Sequence, residues 1–206
     1  MIDQICNSDN AKLCKSILAV VLVVYQPITL EELASFVNMP NSVSSDYKAL
    51  AEIIRLCSSF LILREHTISF VHQSAKDYLV EHASAKIFPN RYTKEQQQIM
   101  SQSIKAIDKA LRRDIYDLQH PGHKVKHLDP DPLASIRYIC VYWIDHLCEI
   151  ETSQDGVGLC SNGTTEVFLK KHFLHWLEAL SLLRSISEGM LSMIKLKRLL
   201  EVGLTL

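Results

Sequence analysis

The sequence lacks the glycine-rich loop that enzymes use to hold nucleotide phosphates. Its 206 residues include six glycines, and no segment matches the pattern G-x-x-x-x-G-K-S/T. That loop supplies the backbone N–H groups and the lysine that cradle a triphosphate, and phosphoryl transfer depends on both. We therefore expect that this chain is not an enzyme and carries no nucleotide cofactor of its own.

Other signals are missing as well. No two of the six cysteines form a CxxC pair, so reduced thiols in a cytoplasmic protein are the simplest interpretation. The most apolar run, residues 17–25, is too short to cross about 30 Å of hydrocarbon as a helix. The net charge of -1 gives no electrostatic reason to bind nucleic acid or an anionic membrane. We expect no membrane and no nucleic-acid partner.

The first part of the chain has the apolar spacing of three helices. Apolar residues at helical intervals predict the first helix, which Pro27 ends. Thr29 and Glu32 then form a T-x-x-E capping box at the start of the second helix. The predicted helices cover residues 12–25, from the cap to 38, and 45–58.

The periodicity then changes to that of strands. The short apolar runs 60–64 and 67–71 are separated by Glu65 and His66, which predicts a β-hairpin. A further helix is predicted at 74–83. Three to four helices with a short hairpin make a winged-helix arrangement, which we assign to residues 1–88.

Residues 89–206 are predicted to form an α-helical, helix-pair arm. Thr93 and Gln96 form a second capping box, followed by an apolar helical face that reaches Ile115. Asp131 and Pro132 fit an N-cap followed by proline at the first helical position. Long helices joined by loops favour stacking of helix pairs in a mainly α protein. The later helices are predicted at 132–149, 165–183 and 187–202, with loops at 119–132 and 152–163.

Seven segments together resemble one family. They are residues 15–21, 25–33, 70–79, 111–116, 129–133, 142–147 and 175–182. In this order they resemble the fungal NACHT proteins related to vegetative incompatibility proteins, which are STAND-type NTPases. Residues 1–88 also resemble the winged-helix module named after GPI inositol-deacylase-like sequences.

The resemblance implies a place in a larger switch. In that family an upstream domain holds ADP or ATP in its phosphate loop, and sensor repeats follow downstream. The partners implied are therefore the NACHT domain and the sensor repeats in cis, with oligomerisation in the full-length context. The chain is expected to be a fragment or a truncated gene product, because its pattern begins inside that of the family.

His72 is the candidate site residue. It is expected where the second hairpin strand ends and the next helix begins, and the resemblance implies a closed-state sensor of the ADP phosphate. The alternative is a histidine that only caps the helix. Ser74 is predicted as the N-cap and Asp77 in the first turn. A Ser/His/Asp hydrolase is disfavoured because no nucleophile-elbow pattern is present.

Metal sites are weighed and disfavoured. The histidines fall in three groups, none of which has the spacing of a compact ligand motif. We therefore expect no metal site. The groups are His120, His123 and His127 with Asp129 and Asp131; His172 with His175; and His146 with Cys148.

A DNA-binding winged helix is the second class of function. The helix 45–58 carries Asp46, Lys48, Glu52 and Arg55, whose charges sum to zero. Phosphate contacts need several basic residues on one face, so this helix is a poor DNA reader. We predict a non-catalytic regulatory module that couples nucleotide state to a distal sensor in incompatibility-type signalling, with DNA binding as the alternative.

Arg112, Arg113 and Asp114 are interpreted as an exposed helical charge group, with docking to a neighbouring domain as the alternative.

Overall fold

The structure, a computed structural model, is mainly helical with one small sheet, as the sequence predicts. It describes residues 2–37, 47–88, 92–120, 130–152 and 164–203. The chain divides into two compact units, Met1–Ile99 and Met100–Leu206. The division at residue 88 stays a prediction about domains. No helix among the described residues combines the length and hydropathy needed to cross a membrane.

The first unit alternates short helices with short strands. The sequence missed α1, β1 and α6, which have five, two and four residues, because such lengths show no readable periodicity. The elements are α1 (Ile2–Cys6), α2 (Ala11–Val23), β1 (Ile28–Thr29), α3 (Leu30–Phe36), α4 (Tyr47–Leu56), β2 (Leu61–Arg64), β3 (Thr67–Phe70), α5 (Gln73–His82), α6 (Ser84–Ile87) and the start of α7 (Tyr92–Ala110).

The predicted hairpin is confirmed, and it belongs to a three-stranded antiparallel sheet in the order β1-β3-β2. The strand β1 pairs through Ile28 with Ile68 and through Thr29 with Thr67. The backbone N–H of Leu30 also donates to the His66 carbonyl at 3.0 Å. The start of α3 is therefore bonded directly to the hairpin turn.

Thr29 ends β1 and caps α3. Its hydroxyl accepts from the Glu32 N–H at 3.2 Å, and the Glu32 carboxylate accepts from the Thr29 N–H at 2.7 Å. Both N–H groups would otherwise lack a helical partner, so the pair stabilises the helix by about 1 kcal/mol. The predicted capping box is confirmed.

The core of the first unit lies between the sheet and the helices. Helix α4 buries Leu50, Ile53 and Ile54 on one face while Glu52 and Arg55 stay exposed on the other. Each fully buried Leu or Ile contributes about 1.5–3 kcal/mol of transfer free energy. The largest fully buried side chains of this unit are Ile17, Leu18, Ile28, Leu33, Leu50, Ile54, Leu61, Ile68 and Leu79.

The second unit packs α8 (Arg137–Thr152), α9 (Thr164–Leu182) and α10 (Ile186–Gly203) against one another. Its centre is aromatic: the rings of Trp143 and Trp176 meet edge to face at 5.8 Å, and both are fully buried. The Trp176 indole N–H donates to the Cys140 carbonyl at 2.7 Å, which satisfies its buried donor.

Two helix boundaries of the second half were predicted wrongly. Helix α7 begins at Tyr92, so Thr93 lies inside it, and it ends at Ala110, so Ile115 is buried outside the helix. The chain turns at Asp114, whose φ is 51° and whose carboxylate accepts from the N–H groups of Leu118 and Gln119. Arg112, Arg113 and Asp114 are therefore not a helical charge group.

The helix predicted to follow Asp131 also begins later, at Arg137. The Asp131 carboxylate accepts from the Leu133 N–H at 2.9 Å, as a cap would, but the residues after it form turns. Tyr116 and Arg137 also donate to this carboxylate. Asp131 thus holds a turn in place instead of starting a helix.

The connection from α9 to α10 is a tight turn. Arg184 has φ 58°, the Ser185 N–H donates to the Leu180 carbonyl at 2.8 Å, and the Arg184 N–H donates to the Ser181 carbonyl. These are the two bonds of a Schellman motif, with arginine where glycine is usual. Gly189 then lets α10 approach α9, because a Cβ there would lie 2.3 Å from Leu180 Cδ1.

The hairpin turn offers a test of the first unit. Glu65 and His66 have φ values of 46° and 67°, a left-handed conformation that costs most residues about 1–2 kcal/mol. Replacing them together with Asn-Gly, the preferred pair for such turns, should raise the free energy of unfolding by about 1 kcal/mol. Urea denaturation followed by circular dichroism measures it. Ala51→Gly, inside α4, is the control and should lower the free energy of unfolding. If the Asn-Gly variant is no more stable than the wild type, the turn at Glu65 and His66 is not strained.

Candidate functional site

His72 lies where the sequence predicts, between the end of β3 and the start of α5. The Val71 N–H donates to the Phe60 carbonyl at 2.9 Å, which holds the chain against the residue before β2. His72 itself is extended, with φ -155° and ψ 155°, and is the N-cap of α5. The hairpin therefore fixes the backbone that presents this histidine.

The imidazole of His72 caps the helix with one nitrogen. Nδ1 accepts from the Ser74 backbone N–H at 3.2 Å and lies 2.9 Å from the Ser74 hydroxyl. Because Nδ1 is an acceptor here, the proton of the neutral ring is on Nε2. The exposed His72 ring therefore has an N–H donor left after capping.

The prediction that Ser74 is the N-cap is wrong, since Ser74 is the second helical residue and is itself capped by His72. Asp77 lies beyond the first turn, where its carboxylate accepts from the Gln73 side chain at 3.0 Å. The structure thus brings Ser74 and His72 together but gives Asp77 a different partner. Among the residues that the structure describes, no carboxylate is bonded to the imidazole as a catalytic triad requires.

An open concavity adjoins the cap. It has a volume of about 540 Å³ and one aromatic wall, in which Tyr78 stacks on Phe60 at 6.2 Å and on His82 at 5.2 Å. The α5 N-terminus adds positive potential, which favours an anion. Its lining contains no Lys or Arg, so it offers an anion few charge-assisted contacts. The lining residues are Ser59, Phe60, Val71, His72, Ser74, Ala75 and Tyr78.

The structure places the histidines considered as metal ligands in different surroundings. His172 is buried, and its Nε2 lies 2.7 Å from the Asp108 carboxylate, which also accepts from Lys171. The His172 and His175 rings are 5.8 Å apart. Within the described ranges, no group of three or more His, Cys, Asp or Glu is placed to hold a metal ion. His123, His127 and Asp129 lie outside the described residues.

In α4, the helix considered for DNA contact, the arginine is paired with a residue of the same helix. Arg55 of α4 forms an ion pair with Glu52 one turn earlier. The hairpin tip exposes Arg64 and His66 with the acidic Glu65 between them. Asp46 lies outside the described residues. These surfaces combine few basic groups with acidic neighbours.

His146 is a buried titratable group that the sequence analysis weighed only as a ligand. It lies on α8 with 2% of its surface exposed, and its Nε2 is 2.9 Å from the Tyr138 hydroxyl. Burial disfavours the charged ring and lowers the pKa of His146 to about 4, against the weaker pull of Glu149 and Asp145. The spacing of Tyr138 and His146, two helical turns apart, is the signal that predicts this contact.

Two carboxylates, Asp108 and Asp131, have partners that were not predicted from the sequence. Asp108 holds Lys171 and His172 of α9, and these hydrogen bonds keep its pKa below the usual range. Asp131 accepts from Tyr116 and Arg137, and burial, together with the hydrogen bond to Asp131, raises the pKa of Tyr116 to about 12. Both carboxylates bind residues that lie outside their own helix or turn, so no local sequence pattern predicts these contacts.

Comparison with known proteins gives one close relationship. The chain is 46% identical over 218 aligned positions to "Vegetative incompatibility protein HET-E-1" of Podospora anserina. The alignment covers 97% of this chain and 16% of the relative. The resemblance to fungal vegetative incompatibility proteins is therefore confirmed. No protein-family model and no solved structure matches the chain.

Titration of His146 should be visible in the stability of the chain. The folded pKa of about 4 lies below the ordinary value of 6.5, so the unfolded chain binds the proton more tightly. The contribution of His146 to the free energy of unfolding is fully present above about pH 6.5. It falls by about 2–3 kcal/mol as the pH drops toward 4.

His146→Gln keeps an acceptor for Tyr138 and should flatten this part of the curve. Chemical denaturation at pH 7, 6, 5 and 4.5 measures the difference between the two proteins, with exposed His82→Gln as the control. Parallel curves for the wild type and the His146 variant would contradict a buried neutral ring.

Proposed function

Because this chain is related to the fungal vegetative incompatibility proteins, we propose that it is a non-catalytic regulatory module of a longer cytoplasmic signalling protein. Its role is to couple the nucleotide state of a neighbouring NACHT domain to a distal sensor. The observation that carries the proposal is 46% identity over nearly the whole of this chain. The coupling itself is inferred from the resemblance to NACHT signalling proteins.

The first unit acts as a winged helix in this proposal. The order α2-β1-α3-α4-β2-β3, with strands arranged β1-β3-β2, supports this assignment. The hairpin β2–β3 is then the wing. The two-residue β1 supports this reading because it supplies the third strand that the sequence analysis did not include.

His72 is the proposed sensor of ADP bound to the neighbouring domain. Nδ1 is occupied by the Ser74 N–H, so Nε2–H is the group that would donate to a phosphate oxygen. The helix N-terminus behind it favours the same negative charge. One donor beside a concavity whose lining contains no Lys or Arg is a contact of modest strength, which fits a reporter better than an anchor.

ADP or ATP is held by the NACHT domain in this scheme, and no cofactor binds to this chain alone. A ligand shifts a switch only by its different affinity for the two states. Contact between His72 and ADP in the closed state supplies such a difference. Loss of the contact favours the open state.

The second unit is the proposed arm that connects the switch to the sensor repeats. Helix α10 packs on both α8 and α9, and Gly189 lets α9 and α10 approach closely. Tightly packed helix pairs move as rigid bodies, which is how domain swings transmit a change of state. The helix-pair packing supports an arm that carries displacement without bending.

The sensing role is tested in a protein that carries this chain behind its NACHT domain. His72→Asn keeps a side-chain acceptor for the helix cap and removes the Nε2–H donor. ADP affinity should fall about tenfold, the size of one lost hydrogen bond to a charged group. Isothermal titration calorimetry measures it. His82→Ala, on the same helix, is the matched control, and unchanged ADP affinity in His72→Asn would reject the sensor.

The absence of catalysis is part of the same proposal. The purified 206-residue chain should not hydrolyse ATP, and turnover by the chain alone would reject the non-catalytic assignment.

DNA binding remains the second candidate because the winged-helix order is also used to read DNA. The ion pair of Arg55 with Glu52 weighs against it. Salt-dependent binding of duplex DNA, lost in Arg55→Ala and Arg64→Ala, would favour this alternative.

A further inference from the structure

Helix α10 exposes several large apolar side chains to solvent. On the face that packs on α8 and α9, Gly189 and Leu196 are buried. On the opposite face Met190, Leu191 and Ile194 expose 62%, 61% and 49% of their surfaces. Single exposed apolar residues are ordinary, but a group of them on one helix face indicates a binding surface. The outer face of α10 is therefore a candidate for contact with another helix.

This outer face has the spacing of a helix-pairing seam. Positions 187, 191, 194, 198 and 201 follow one another at intervals of four, three, four and three residues. That alternation keeps a row of side chains on the side of a helix that faces a partner helix. Leu191 and Ile194 form the apolar centre of the row, and the polar Ser187 and Arg198 flank it. The seam is therefore centred between Leu191 and Ile194.

The charges beside the seam are complementary to those of a second α10 that runs in the opposite direction. Glu188 lies near the start of α10, whereas Lys195 and Arg198 lie in its second half, and all three are exposed. An antiparallel pair places Glu188 of each copy beside the basic residues of the other, and it also opposes the two helix dipoles. A parallel pair would place like charges together. The charges therefore favour antiparallel self-association.

We propose that the outer face of α10 binds a second copy of this chain, antiparallel, about a two-fold axis that passes between Leu191 and Ile194. In this register Leu191 faces Ile194 of the second copy, and Glu188 faces Arg198 of the second copy. A two-fold axis makes each contact occur twice, so one apolar centre is closed at both ends by opposite charges. Lys195, which also donates to Asp145 of α8, lies on the same flank as Glu188.

An apolar groove beside the second half of α10 fits this arrangement. It lies between α9 and α10 and has a volume of about 350 Å³. Met190 and Lys197 are seven residues apart and share one flank of the seam, and Lys197 lines the groove. Since like flanks meet in an antiparallel pair, Met190 of the second copy enters the groove, where an unbranched thioether fills irregular space. The apolar lining residues are Leu169, Phe173, Trp176, Met193 and Leu196.

The size of the contact sets its strength. One helix from each copy buries less than about 1,200 Å² in total, which is the range of weak, transient interfaces. We therefore expect a dissociation constant on the order of tens of micromolar for the chain alone. Helix α9 supplies a comparison surface, because Val167 and Leu174 are also exposed and lie seven residues apart. Their helix is not the one that carries the proposed seam.

The first test is sedimentation velocity of the folded 206-residue chain between about 5 and 500 µM, a range that spans the expected dissociation constant. The wild type should change from monomer to dimer across this range. Leu191→Gln/Ile194→Gln removes the apolar centre but keeps good helix formers, so it should raise the dissociation constant at least about tenfold. Val167→Gln/Leu174→Gln, the matched control on α9, should dimerise as the wild type does. Circular dichroism checks that each variant is folded.

The second test determines the direction of the two helices. Arg198→Lys keeps the charge and supplies an amine, which a carbodiimide can join directly to the Glu188 carboxylate. The variant is prepared with normal and with heavy nitrogen, and equal amounts are mixed, cross-linked and digested for mass spectrometry. We expect links between the Glu188 peptide of one isotope and the substituted peptide of the other. Glu188→Lys, which sets basic residues against basic residues, should weaken the dimer.

Three results would overturn the proposal. They are a wild-type chain that stays monomeric throughout the concentration range, a dimer that the α10 double variant does not weaken, and a dimer without mixed-isotope links from Glu188. The first and third use the unsubstituted chain or a charge-conserving variant, so they do not depend on the folding of the double variant. The interface goes beyond the proposed nucleotide sensing by His72. A monomeric protein with a normal ADP response would reject this interface and leave the proposed function intact.

Discussion

The pairing of two strand residues, Ile28 and Thr29, with the hairpin is the constraint on which the first unit depends. Ile28 is fully buried opposite Ile68, which is also fully buried. The same short segment carries the cap of α3, and the N–H of the next residue, Leu30, donates to the His66 carbonyl in the hairpin turn. These strand pairings and hydrogen bonds join α3 to the sheet, and the end of that sheet presents His72.

The two ring nitrogens of His72 have different roles, one in capping the helix and one as a free donor. Nδ1 holds the start of α5, so the ring is oriented before any ligand arrives. The proton on Nε2 is then available toward solvent-exposed surface beside an aromatic wall. A ring fixed by its cap loses little rotational freedom on binding, which lowers the entropic cost of using it as a reporter.

In the second unit the sequence predicted α9 and α10 closely but placed the ends of α7 and α8 wrongly. A tight turn at Arg184 and Ser185 ends α9 and leads directly into α10. The ends of α7 and α8 depend on Asp114 and Asp131. The Asp114 N–H donates to Glu178, 64 residues away, and Asp131 gathers Tyr116 and Arg137. A helix continues or stops there according to partners that no local window contains.

The sequence alone determined the mainly helical class, the capping box at Thr29, the hairpin, the position of His72 and the relationship to vegetative incompatibility proteins. Each of these follows from the local spacing of residues or from short runs of sequence. The tertiary structure alone decided that β1 completes the sheet and that His72 and not Ser74 caps α5. The first feature arises because residues far apart in sequence pair with each other, and the second because the hairpin holds the backbone of His72 extended next to the helix.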